Sequence, residues 1–300
     1  MRLTTVATPL RPAPLVSVVI PAFNAGRFIE ATLRSVLSQC YRNLEVIVVD
    51  DGSADDTVLR VTAAARADGR VRLIQLPRNS GCPAVGRNRG LAEAVGDLVA
   101  FLDADDLWTG RKLSEQVSAM VRQPDLTLVY SMFVSFGAVR ILGVEYGVKP
   151  LPFRAALNSA ALELENTIPC SSVLARVEAV RAAGGFDEDP KLAAVEDYDL
   201  WLRLSRNGRI GFIRRIHGFY RVHPQGISRN ADMIERARYL LDKRGVSKAV
   251  AARRRHQMPE RFARTTLHSL VIASAKVAEW LAPGTPGAIV HRTASSDSSS

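Results

Sequence analysis

Residues 16–57 read VSVVIPAFNAGRFIEATLRSVLSQCYRNLEVIVVDDGSADDT, and this stretch decides the fold class. Residues 16–21 and 44–50 are short β-branched runs of the kind that form buried strands. Between them, Ile29, Leu33, Val36 and Leu37 fall on one face of a helix beginning near Gly26. Asp55 stands where its side chain can cap the free amides of a second helix running to about Ala67. Strands alternating with helices at this spacing predict an α/β protein with a parallel sheet. The pattern continues outward with strands at 71–75 and 98–102, and another is expected at 127–136. It weakens through Gly137, Gly143, Gly147 and Pro150, then resumes in a short helix where Leu200, Trp201 and Leu204 form the apolar face. Trp201 is therefore expected in the core, and Asp197 ahead of that face.

The chain has 300 residues, of which 47% are hydrophobic, enough to bury a full core; a stapled mini-protein and a disordered polymer are excluded. Forty Lys plus Arg against thirty Asp plus Glu leave a net charge of +10. Such a balance suits a polyanionic partner, an anionic membrane or a phosphorylated substrate, and the sign does not choose among them. Cys40, Cys82 and Cys170 are odd in number and far apart, so neither a disulfide framework nor a zinc knuckle is expected. The N-terminal MRLTTVATPLRPAP lacks a signal-like apolar run, and no stretch reaches the roughly 18 apolar residues of a membrane span. A soluble cytoplasmic protein in a reducing compartment is the expectation.

Polar and acidic residues gather just after the strands, on the edge where open α/β sheets bind ligands. After strand one, Pro21 is expected to stop the strand, leaving Phe23 and Asn24 on an exposed lip where an aromatic can stack on a base. After strand two, Asp50 and Asp51 precede Gly52, which permits a tight turn. A carboxylate there can accept hydrogen bonds from a nucleobase or ribose; the plainer reading is a turn and a helix cap. After strand four, VAFLDADDLW sets Asp103 and Asp105 around Ala104. Two hard oxygen ligands beside a diphosphate suit Mg²⁺ or Mn²⁺, although Asp105 or Asp106 could instead cap the following helix. In the third cluster, AAVEDYDLWLRL, Asp197 can take a proton from an acceptor hydroxyl or serve as a cap.

Taken together, VSVVIPAFNAGRFIEATLRSVLSQCYRNLEVIVVDDGSADDT, NSGCPAVGRNRGLAEAVGDLVAFLDADDLW, GGFDEDPKLAAVEDYDLWLRL and YRVHPQGIS resemble, in order over residues 16–228, a family 2 glycosyltransferase. The resemblance implies the GT-A fold, a Rossmann-like, mostly parallel sheet with flanking helices. It implies that Pro21, Phe23 and Asn24 line the base and ribose pocket and that Asp51 bonds the base. Asp103 and Asp105 resemble the family's Asp-x-Asp pair, Asp105 as a metal ligand and Asp103 on ribose or metal. Asp197 resembles the catalytic base of a single inverting displacement. Arg87, in VGRNRG, stands where the family often carries a basic residue near the nucleotide, with diphosphate or ribose contact implied. His223 is a candidate for the metal or the diphosphate, because a neutral imidazole ligates Mn²⁺ and a charged one pairs with phosphate. Trp108 is expected to pack in the core, and residues 169–172 suit an acceptor loop. The partners implied are a nucleoside-diphosphate sugar, most readily UDP-linked, and a glycan or lipid-linked acceptor hydroxyl, for polysaccharide or envelope synthesis.

The expected organisation is an N-terminal tail at 1–15, a catalytic unit at 16–228 divided near 136, a basic helical extension at 229–282 and a disordered tail at 283–300. Residues 231–282 hold eleven Lys plus Arg against five Asp plus Glu, so +6 of the +10 lies there. Met233, Ile234, Ala237, Leu240 and Leu241 have helical spacing, as do Leu267, Leu270, Val271, Val277 and Leu281. Two solvated helices on the catalytic unit would account for this segment; contact of Arg253, Arg254 and Arg255 with anionic lipid at the inner membrane face is the alternative. Three rival functions are weaker. A dehydrogenase would need Gly-x-Gly-x-x-Gly where PAFNAG stands. Nucleic-acid binding is not expected, because the basic excess lies mainly outside the α/β unit without interleaved aromatics. A catalytically dead sugar-nucleotide binder would not need all the acids present.

Overall fold

The computed structural model describes residues 9–141, 144–150, 159–227 and 232–246. Its first half comprises β1 (Val16–Ala22), α1 (Gly26–Leu37), β2 (Leu44–Asp50), α2 (Thr57–Ala67), β3 (Val71–Gln75), α3 (Pro83–Glu93) and β4 (Leu98–Phe101). These four strands are parallel in the order β3-β2-β1-β4, so the direction of chain progression reverses between β1 and β4. The continuous apolar runs follow from burial on both faces. Val16, Val18 and Ile20 pack with Ile29, Leu33 and Val36 of α1. Val19 points the other way, into a cluster with Leu91, Val99, Phe101, Phe186 and Trp201. Helix α3 lies close against β1: a Cβ on Gly90 would fall 2.4 Å from Val19 Cγ1, and one on Gly86 3.1 Å from Pro21 Cβ.

The second half adds β5 (Leu107–Trp108), α4 (Lys112–Arg122), β6 (Leu126–Ile141), β7 (Val144–Pro150), α5 (Ser159–Leu164), β8 (Leu174–Arg176), α6 (Val177–Ala182), α7 (Glu196–Asn207), β9 (Arg209–Val222) and α8 (Met233–Lys243). Short 3₁₀ turns cover Cys170–Ser172 and Pro190–Leu192. The sheet continues from β4 through β8, β6 and β9 to β5, with β7 paired on β6. This half is mixed: β8 is antiparallel to both neighbours, whereas β6 and β9 run parallel.

Two expectations need correction. Pro21 does not end β1, which runs on to Ala22 and stays paired with β2 up to Ala22 and Asp50. It marks the end of pairing with β4, which stops at Val19 and Phe101, because proline has no N–H to donate on that side. The two strands thus part and leave a crevice at the reversal point. The weak pattern around 137–150 is not a break in the sheet either. Strand β6 passes through Gly137 with a register shift between Phe136 and Val139, and Ile141 pairs with Val144 of β7. Here Gly137 marks a bulge.

At the N-terminal end, Arg11 and the Leu15 amide both bond Asp97, and Tyr41 donates to Pro14 O, so residues ahead of β1 are tied to the sheet. At the other end, Leu240, Leu241 and Val246 join the core cluster of α3, α6 and α7. Asp232 caps α8 by accepting from the amides of Ile234 and Glu235. Arg244 bonds the fully buried Asp199 as well as Asp187, and Lys243 pairs with Asp187 and Asp189. The first helix beyond residue 228 is therefore packed into the catalytic unit. The expected helix around Leu267–Leu281, the Arg253–Arg255 cluster and the expected tail at 283–300 lie outside the described residues. Among the described residues no helix is long and apolar enough to cross a membrane.

Candidate active site

The crevice floor is the loop Asp103–Asp106, held by its backbone. Thr32 of α1 donates its hydroxyl to Ala104 O at 2.8 Å and Asp106 O at 2.9 Å. Ser171 of the 3₁₀ turn accepts from the Asp103 amide at 3.1 Å and donates to Asp106 Oδ2 at 2.6 Å. Asp106 also accepts from the Arg221 amide of β9 at 2.8 Å. It is fully buried, and burial, followed by the charges of Asp105 and Asp103, holds its carboxyl well above the usual carboxylate range. Asp106 thus fastens three segments together and does not cap α4, which begins at Lys112. Trp108 is buried, its indole N–H on Ser171 O, as expected of a core residue.

Asp103 and Asp105 keep partly exposed carboxylates, at 30% and 27%. His223, just past β9, brings Nε2 to 2.7 Å from Asp105 Oδ2, while its ring lies 4.8 Å from that of Phe28. Burial and then Asp103 raise the Asp105 carboxyl above its ordinary value, with His223 pulling it back. Among the described residues no group of three or more His, Cys, Asp or Glu is arranged to hold a metal unaided. The donor chemistry nonetheless fits a divalent cation. Two carboxylates with an imidazole suit Mn²⁺, the crowded negative charge is what a cation would relieve, and further oxygens can come from a diphosphate or water. Arg221 was not singled out from the sequence, although it lies in the quoted YRVH. Its guanidinium sits 4.8 Å from the Phe28 ring and 4.4 Å from the Phe136 ring and donates to Asp105 O.

Across the crevice, Asp197 occupies the first turn of α7, partly exposed, with Oδ1 on the Tyr198 amide at 2.6 Å. Its carboxyl is pushed up to about 7 by burial first and by Glu196 next, against the pull of Arg87. A base with that value is well matched to neutral pH. Arg87 joins the two sides: Nη2 donates to Asp103 Oδ1 at 2.7 Å and Nη1 to Glu196 Oε1 at 2.5 Å. Arg87 is buried, and the two amino groups expected on a nucleotide are engaged by carboxylates here. The pairing of Arg87 with Glu196 was not legible, because they are 109 positions apart.

On the nucleotide side, Asp51 accepts at both oxygens from Ser80, the amide at 2.9 Å and the hydroxyl at 2.8 Å. Gly52 adopts a φ of +73, and a Cβ there would lie 2.7 Å from the Asn79 amide, so the turn requires glycine. Residues 76–80 and Val85 line an open hollow of about 550 Å³ beside this turn. Phe23 is half exposed on the lip. Asn24, at a φ of 47, ties the lips of β1 and β2 by accepting from the Ala54 amide and donating its own amide to Ser53 Oγ. Asp55 accepts from Gly26 N and Thr57 N, linking the starts of α1 and α2, but it stands one residue ahead of the N-cap of α2, which is Asp56 and makes no side-chain cap bond.

A parallel sheet that opens between β1 and β4, with spaced acids on its carboxyl edge facing an acid on a helix across the crevice, has the frame of a nucleotide-sugar transferase. Comparison with known proteins sharpens this. Residues 17–181 match the family described as Glycosyl transferase family 2. The chain is 34% identical over 221 residues to TuaG of Bacillus subtilis (strain 168), a glycosyltransferase named for teichuronic acid biosynthesis, covering 72% of this chain and 82% of that one. It is 31% identical over 247 residues to WfaP of Escherichia coli, a UDP-Glc:alpha-D-GlcNAc-diphosphoundecaprenol beta-1,3-glucosyltransferase, covering 81% and 90%. The mannosyltransferase PcManGT from Pyrobaculum calidifontis, solved with GDP-Man and Mn²⁺, superposes with a TM-score of 0.61 at 19% identity, over 91% of this chain and 83% of that one, and shares the fold. The chain belongs to glycosyltransferase family 2, and its fold is the GT-A fold. It is an enzyme that acts on nucleotide sugars.

Proposed function

We propose that the protein transfers a hexose from a UDP-linked donor to a hydroxyl of a glycan or lipid-linked acceptor, by a single inverting displacement with Asp197 as the base. The observation that supports this reading is the Asp197 carboxyl, raised to about 7 at the start of α7 and within reach of the charges of Arg87 and Asp103, with the Asp105–His223 contact two residues on from Asp103. The donor would seat its base near Asp51 and the 76–80 hollow, between the lips bearing Pro21, Phe23 and Asn24. Asp197 takes the acceptor proton as the acceptor oxygen bonds to the anomeric carbon. The bond from that carbon to the diphosphate oxygen breaks, and the diphosphate leaves with the electron pair. Asp103, Asp105 and His223 would hold Mg²⁺ or Mn²⁺, which when bound neutralises charge on the departing diphosphate. Arg221, beside Asp105, adds a second cation on the leaving-group side.

The names of TuaG and WfaP support a role in polysaccharide synthesis, and that of WfaP a UDP-sugar donor and a diphospholipid-linked acceptor. An acceptor on a lipid would bring the enzyme to the cytoplasmic membrane face, the setting in which the basic excess of 231–282 has a use. The reading is tested by offering the full chain a panel of UDP- and GDP-sugars with Mn²⁺ and measuring nucleoside diphosphate release and thermal stabilisation. Turnover of a UDP-hexose that a chelator removes is expected. Stabilisation by no sugar nucleotide, or turnover unaltered by chelation, would refute the donor or the metal assignment respectively.

A further inference from the structure

We infer that Arg87 is a positioning residue, tying the donor-side carboxylate Asp103 to the first turn of α7 and thereby setting the geometry and charge around Asp197. The inference rests on Asp197 acting as the base. Helix α3 brings Arg87 to a fixed place, because Gly86 and Gly90 let the helix sit against Pro21 and Val19. Below the guanidinium is the buried ring of Phe186, 5.3 Å away and itself packed edge-on to Phe101. Little freedom is left to the side chain, which is 5% exposed.

Its two partners are not arbitrary carboxylates. Asp103 stands two residues before Asp105, and Glu196 immediately precedes Asp197. One cation therefore spans the crevice from the end of β4 to the start of α7. Arg87 Nε and Glu196 Oε2 are buried without a partner among the described residues, a cost that a purely stabilising pair would be expected to avoid. The groups facing Asp197 are Glu196 on its own helix, Asp103 from the β4 loop, Cys170 from the 3₁₀ turn and Arg87 from α3. Arg87 is the cation in that set. Removing it leaves Asp197 among like charges, which disfavours ionisation; removing Glu196 does the opposite.

The test uses the full chain with Mn²⁺ and the best substrate of a UDP-hexose panel, water serving as acceptor, and follows kcat/KM from pH 5 to 9. For Arg87→Met the acid limb should move up by about one pH unit and the rate at pH 7 fall about fivefold or more. Glu196→Gln should move the limb down. Arg87→Lys should fall between wild type and Arg87→Met, and the double variant Arg87→Met with Glu196→Gln should return the limb toward wild type. A folded Arg87→Met with an unmoved limb and full rate, or both single variants shifting the limb in the same direction, would overturn the inference. If Arg87→Met does not fold, Glu196→Gln and Arg87→Lys decide it: a limb unmoved in both overturns it. Asp197→Asn serves as the separate control, because full turnover in that variant refutes the base assignment whatever Arg87 does.

Discussion

At the scale of single residues, the three neighbouring acids of the β4 loop carry different tasks because their surroundings differ. Asp106 is sealed and hydrogen-bonded by Ser171 and Arg221, whereas Asp103 and Asp105 keep exposed oxygens beside Arg87 and His223. The sequence DADD shows the cluster but not this division, since burial of Asp106 depends on residues 65 and 115 positions away. His223 is the more economical probe of the metal role, because it touches Asp105 but lies outside the buried lattice around Asp106. His223→Ala should raise the Mn²⁺ concentration needed for half-maximal turnover by about tenfold, the size of effect expected from losing one supporting ligand. A titration of activity against Mn²⁺ measures this, and an unchanged half-saturation point would remove His223 from the ligand set.

At the scale of elements, the site depends on how close α3 comes to β1. Gly90 allows that approach, and Gly90→Ala would drive a Cβ to 2.4 Å from Val19 Cγ1. Overpacking of this kind costs about 1–3 kcal/mol, and because Arg87 rides on the same helix, activity should fall along with the unfolding midpoint. Denaturant unfolding and steady-state turnover on the same preparation check both. The elements of the first half were legible: the strands at 16–21, 44–50, 71–75 and 98–102 agree with β1 to β4 within a residue. Buried parallel strands announce themselves by continuous apolar runs, and the crossover helices by period. The opening of β6 was legible too, as the strand expected at 127–136, but its continuation past Gly137 and β7 were not, because Gly137, Gly143 and Gly147 resemble loop signals and the bulge between Phe136 and Val139 is set by the partner strand. Pro21 departs from its expected role as a strand end for a related reason. A strand at a switch point can lose one neighbour and keep the other, and its own sequence does not say which.

At the scale of the whole molecule, the reading of charge changes once the structure assigns partners. The +6 of residues 231–282 first suggests a separate basic appendix, yet Arg236, Lys243 and Arg244 of its opening helix are bonded to the 187–199 segment. Leu240 and Leu241 are buried in the catalytic core. Truncation before residue 232 should therefore destabilise the enzyme, and Leu240→Ala alone should cost about 2–5 kcal/mol by denaturant unfolding. Loss of less than about 1 kcal/mol would mean that α8 is dispensable. The places of the candidate acids in the fold could be read from the sequence because each follows a strand or opens a helix. How they are linked, through Arg87, Ser171 and Arg221, could not, because those bonds join segments far apart in the chain.

In the proposed reaction Asp197 takes the acceptor proton. With its carboxyl pushed up to about 7, the group is mostly protonated and inert below that pH and mostly ionised and competent above it. The kcat/KM for sugar transfer by the wild-type chain should fall about tenfold per pH unit on the acid side of a midpoint near 7. The most direct measurement is transfer by Asp197→Asn beside wild type across that profile, with UDP binding followed in parallel. If Asp197 is the base, the variant's rate is at least about a hundredfold lower at pH 8, the acid limb is gone from what remains, and UDP affinity stays within about twofold. Transfer by Asp197→Asn at the wild-type rate, with the same acid limb, would contradict that role.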